Sequence, residues 1–275
     1  VPMRPLSIIL KMLGLLAVPL PIGTMLSAHE FWIDPVAFEI SQGDPLVANI
    51  RVGKDFSGAA FSFIPNRFER FEVITAGAAY PVLGRLGDRP ALTMAAPEKG
   101  LNIAVHVTGD MTLTYREWVK FETFVRHKDF AWGLAEHTRR GLPETGFKER
   151  YSRYAKSLIA VGGGAGQDRE VGLLTELVAE ANPYTDDLTD GLPLRVFYQG
   201  KPRANAQVEL FEKHPDGTVE ISLYTTDETG LVQLPVLPGR QYLADAVVLR
   251  AVDPAASDGA VWESLWAALT FATPQ

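Results

Sequence analysis

The sequence predicts a mainly β protein, two immunoglobulin-like or transthyretin-like β-sandwich domains joined by a helical segment. Three observations predict it. Short apolar runs broken by Gly, Pro and Asp extend from Phe31 to about Tyr115. The apolar spacing then lengthens to a helical period. Short runs with turns between them return for the last third of the chain. Alternating runs with frequent turn residues belong to antiparallel sheets, and offsets of three and four to helices.

The chain has 275 residues and opens on a leader. Arg4 and Lys11 are followed by MLGLLAVPLPIGTML, which ends in Ser27 and Ala28. A spanning helix wants about 20 uninterrupted apolar residues. This run is shorter, broken by Gly14, Pro19, Pro21 and Gly23, and closes on small residues, the layout of a secretory signal. Residues 1–28 are therefore expected to be removed, with the cut after Ala28 and the mature chain in the periplasm, not inserted in a membrane.

Residues 29–115 are expected to form the first sandwich, with runs such as PLVANIRVG, RFEVI and LNIAVHV. Residues 116–180 are the helical connection: Trp118, Phe121 and Val125 share one helix face, and so, by offset, do Tyr151, Tyr154, Ala155, Leu158 and Ile159. On that reading the two tyrosines pack and Lys156 is a surface cation. GGGAGQD (Gly162–Asp168) then turns the chain. Residues 181–275 form the second, transthyretin-like sandwich, its strands separated by the turns QGKP, HPDG, DETG and PGR.

Removing the leader takes two of the 26 basic residues, so 24 face 33 acidic ones and the formal charge of −7 becomes −9. An acidic surface argues against nucleic acid as a partner. The chain has no cysteine, which excludes disulfides, thiolate metal sites and a cysteine nucleophile. No G-x-S-x-G elbow, Walker loop or H-E-x-x-H occurs. VGGGAG follows a helical pattern and lacks the Lys-Ser/Thr of a phosphate loop, and Asp186-Asp187 lacks calcium-loop spacing.

Five histidines remain: His29, His106, His127, His137 and His214. After a cut behind Ala28, His29 offers its α-amine and its ring Nδ1 to one cation. The amine has an ordinary pKa near 8, so freeing it for a metal at neutral pH costs little. Glu30 adds a carboxylate. A second imidazole must close such a site, and His127 or His137 is expected to supply it, with His106 in reserve. Ten residues apart on one straight helix, His127 and His137 would stand about 280° apart, so only a break near Gly133 brings both to one ion. Nitrogen-rich donor sets favour Ni(II) and Cu(II) among the divalent ions, and with Met94 and Met111 alone left outside the leader, Cu(I) is disfavoured.

Several stretches together resemble one family: AHEFWIDP after the leader, KFETFV, EHTRRGLPETGFKERYSRYAKSLIAVG, ANPYTDDL with LPLRVFYQGKPRANAQVELF, TTDETGLVQLPV and VWESLWAALTF. It is a large family of bacterial periplasmic proteins of unassigned function, whose members include periplasmic components of cobalt and nickel uptake systems. The resemblance implies a secreted two-sandwich protein that handles a divalent transition metal. It matches His29 to the family's leading His and places His137 in its HxxRGLP-like stretch.

The expectation is thus a periplasmic Ni(II) or Co(II), next Cu(II), binding or delivery protein, without catalysis of its own. Its partner is the metal ion, with a membrane metal transporter or outer-membrane receptor to receive it. One alternative is a structural or interaction module of the envelope that needs no metal. The other is a histidine-brace copper oxidase, for which Phe31-Trp32 would supply part of a substrate platform.

Overall fold

The computed structural model describes residues 30–275. The leader, the cut after Ala28 and His29 itself lie outside the described residues. Among those described, strands dominate and three sheets stack in layers.

The middle layer has ten strands. Its main path runs β15 (Val219–Thr225), β14 (Gln207–Lys213), β17 (Gln241–Ala251), β18 (Ala260–Ala272), β10 (Phe147–Val161), β8 (Gly100–Thr108), β5 (Phe68–Ile74) and β6 (Ala79–Pro81). Two further strands, β2 (Glu39–Ile40) and β9 (Met111–Tyr115), also pair with β10. A second sheet joins β1 (Glu30–Pro35), β3 (Pro45–Lys54), β4 (Ser57–Phe61) and β7 (Leu92–Ala95). A third joins β11 (Thr175–Ala179), β12 (Leu192–Tyr198), β13 (Lys201–Pro202) and β16 (Leu231–Leu234).

Neighbouring residues of one strand point to opposite faces, and this sorts the core. Leu210, Ala244 and Leu269 pack with the third sheet, while Phe211, Leu243 and Ala268 pack with the second. The mainly β, layered architecture is the expected one, and its two sandwiches share the middle layer. The seam is the parallel pairing of β10 with β18, which runs from Lys148 opposite Ala260 to Ser157 opposite Thr270.

Two helices, α1 (Trp118–His127) and α2 (Trp132–Arg139), cover the end of the middle sheet that the second sheet leaves bare. Phe121, Phe124 and Val125 of α1 are its buried stripe. Between the helices Asp129 takes a left-handed φ of 61°, so the break lies just before Gly133.

One expectation is corrected. The helix expected over Tyr151–Ile159 is strand β10. Its second half, Ala155–Val161, is buried throughout because sheets cover both its faces. A doubly covered strand loses its period-two signal, and the three-and-four offsets there were fortuitous. Tyr151 and Tyr154 accordingly join different cores. Lys156 is buried, not a surface cation: its ammonium binds Asp168 at 2.8 Å, Glu176 at 3.0 Å and two backbone carbonyls. That cluster ties the chain after the glycine turn back to β10.

Candidate functional site

The start of β1 is the place where second sheet, middle sheet and α1 meet. EFWIDP is apolar and aromatic except at its two acids, and from Glu30 to Ile33 every residue is buried. The strand is tied down by the Thr270 hydroxyl, which donates to the Ile33 carbonyl at 2.7 Å, and by Asp34, which accepts from Arg51 Nε at 2.5 Å. Beneath it, Ala155 and Ala268 are register partners on β10 and β18, and both belong to the core that β1 packs on. Their small side chains leave room for its aromatics.

Along the same register row the sheet turns from apolar to charged. Ala268 pairs with Asp245, and Asp245 with Glu209. Both acids are buried, and Lys128, at the end of α1, inserts its ammonium between them, 2.5 Å from Glu209 and 2.8 Å from Asp245. Glu30, 4% exposed, is the third carboxylate, at 4.0 Å from the same nitrogen. Lys128 also stands over the Trp266 ring at 4.9 Å. Burial opposes its charge, but Asp245, Glu209 and Glu30 together hold its pKa above the ordinary lysine value. Burial raises Asp245, whereas the His127 and Lys128 contacts overcome burial at Glu209 and lower it. Burial and the neighbouring Asp245 push Glu30 up to about 7, and its Oε2 has no hydrogen-bond partner.

The expected site residues are thereby partly brought together. His127 Nε2 lies 2.8 Å from Glu209 Oε1, at the open rim of the cluster that contains Glu30. The contact with Glu209 raises the His127 pKa. His137 is elsewhere, 1% exposed in the helical core. The Trp262 indole N–H donates to its Nδ1 at 3.0 Å, and its Nε2 donates to the Pro143 carbonyl at 3.0 Å. Both ring nitrogens are used, and burial lowers its pKa. His214 sits in its hairpin beside Glu220 at 3.4 Å.

Two features had no sequence signal. Lys128 read as one more helix-end cation, because only the tertiary fold brings it to Glu209 and Asp245. A second buried acid, Glu149, accepts from Tyr115 Oη at 2.7 Å and from the Ser264 hydroxyl, and burial pushes it up to about 7. Among the described residues no three His, Asp or Glu side chains are grouped so as to hold a metal ion. At the cluster of Glu30, Glu209 and Asp245, the Lys128 ammonium occupies the place a cation would take.

The model of the domain of unknown function DUF4198 matches residues 26–250. The chain belongs to this family. No curated protein matches. Among solved structures, the chain is similar to a tetra-tandem repeat in the extending region of a large adhesion protein, at 11% identity and TM-score 0.21, covering 89% of this chain and 49% of that one. It spans about half the length of that structure. It is also similar to the D0-D1 domain of intimin, at 15% identity and TM-score 0.22, covering 88% of this chain and 97% of that one. No helix among the described residues of this DUF4198 protein is long and apolar enough to cross a membrane.

Proposed function

We propose that this DUF4198 protein is a periplasmic binding or delivery protein for a divalent transition metal, Ni(II) or Co(II) first and Cu(II) next. A signal cut after Ala28 would leave His29 as the amino terminus, and its amine and imidazole would chelate the ion. Glu30 and His127 are the neighbouring donors, and a membrane transporter or outer-membrane receptor would take the metal onward. His137 is left out, because both its nitrogens are hydrogen-bonded inside the helical core.

One observation carries this reading. The residue bonded directly to His29 is buried with an unpartnered carboxylate oxygen, in the cluster whose rim is His127. Amine, imidazole and carboxylate are a donor set suited to the late divalent ions. Metal titration of the exported chain tests it: His29→Ala, or one residue added ahead of His29, is expected to abolish binding. Unchanged affinity in both variants refutes it.

A second reading is a structural or interaction module of the envelope that holds no metal. It is favoured by Lys128, which already neutralises the buried carboxylates.

A further inference from the structure

The ten-stranded sheet ends differently on its two sides. On one it stops at β6, three residues closing on Pro81, a short edge of the kind that resists strand addition. On the other it stops at β15, seven residues reading VEISLYT, with no proline, glycine or lysine among them and an unbroken register to β14. Among the described residues, β14 is the only strand with which β15 pairs.

The phase of that pairing decides which backbone groups face outward. The His214 N–H donates to the Thr218 carbonyl, and the Thr226 N–H to the Ala206 carbonyl. Hydrogen-bonded pairs therefore fall on every second residue between Thr218 and Thr226. Glu220, Ser222 and Tyr224 bond inward to β14, while Val219, Ile221, Leu223 and Thr225 turn their N–H and C=O groups away from the sheet. Ile221 shares a face with its register partner Phe211, and Leu223 lies on that face too. The two are 45% and 57% exposed, so apolar side chains and open backbone groups run along one line.

We propose that β15 is a self-association edge, pairing antiparallel with β15 of a second copy about a two-fold axis at Ser222. An axis there matches all seven residues of the strand. It sets Ile221 against Leu223 of the second copy, and both carry outward groups, so they exchange backbone hydrogen bonds. The four aliphatic side chains then meet on one face. On the other face Glu220 lies opposite Tyr224 of the second copy, and the two Ser222 residues face each other, so no like charges oppose within the seam. The two-fold closes the assembly at two chains and joins their middle sheets into one. A seven-residue seam is small for an interface, so the dimer depends on concentration.

The chain has no cysteine, which makes the axis directly testable. Directly opposed residues of a non-hydrogen-bonded antiparallel pair have Cα atoms about 4.5 Å apart, within disulfide reach. Ser222→Cys in the exported chain is expected to give a disulfide-linked dimer on mild oxidation. Glu220→Cys, on the same face, should stay unlinked, because its counterpart lies four residues along the strand, about 14 Å away. Sedimentation velocity of the wild-type chain should show the average mass rising with concentration toward twice the monomer. Ile221→Lys combined with Leu223→Lys, two exposed sites, should keep the wild-type melting temperature and lose that rise. A wild-type chain that stays monomeric to near-millimolar concentration overturns the proposal and leaves the edge to a strand of another protein. Equal linking of both cysteine variants, or a dimer that survives the double lysine variant, overturns it in favour of a different surface.

Discussion

Lys128 Nζ lies 2.8 Å from Asp245 Oδ2, and both side chains are buried where the end of α1 meets the start of β1. The pair, with Glu209 and Glu30, holds the helical segment against the sheets through charge. Removing one partner from a buried ionic group leaves the others uncompensated, which is far more costly than the pair itself is stabilising.

Lys128→Met is therefore expected to destabilise the protein by roughly 3–5 kcal/mol at neutral pH, measured by urea unfolding. The deficit should shrink as pH falls, because Asp245, already raised by burial, takes up a proton once the ammonium is gone. A variant as stable as wild type at neutral pH contradicts this account of the cluster.

The Tyr115–Glu149–Ser264 network predicts an unusual pH dependence. Glu149 has an ordinary value of 4.5 and is raised by burial to about 7 in the folded chain. Between those values the folded state holds the proton and the unfolded state does not, so its share of stability falls as pH rises from about 4.5 to 7, then levels off. Glu30 acts in the same direction. Glu149→Gln should remove the Glu149 share, with a ceiling of roughly 3 kcal/mol. Identical stability-against-pH curves for the two proteins would contradict the assignment.

His137→Phe separates a core histidine from a ligand. The Trp262 N–H, buried, loses its acceptor, at a cost of about 1–3 kcal/mol. Thermal unfolding should report that loss while metal affinity stays at the wild-type value. A variant that folds normally and binds metal weakly would return His137 to the site.

How much of this was legible in the sequence follows from which residues are covered on one face and which on two. Strands with one solvated face, such as PLVANIRVG, alternate and were readable. The second half of β10 lies between two sheets and carries no alternation, and with Tyr151 and Tyr154 just before it the strand imitated a helix. The candidate site was legible only at its ends. The His29-Glu30 pair followed from the small residues of the leader, and His127 from its place on a helix. Lys128, Glu209 and Asp245 come from three distant segments, and no local pattern marks residues that meet only through strand register. His106 looked like any residue on an apolar strand, since the three phenylalanine rings around it, Phe31, Phe68 and Phe71, meet only in the packed core.

The central claim is that the chain carries a divalent metal at an amino terminus beginning with His29. Intact mass combined with metal analysis of protein exported to the periplasm tests it most directly. The account predicts a mass that begins at His29 and near-stoichiometric Ni(II), Co(II) or Cu(II) on that species. A chain with that same terminus that stays free of all three ions after exposure to them would contradict it.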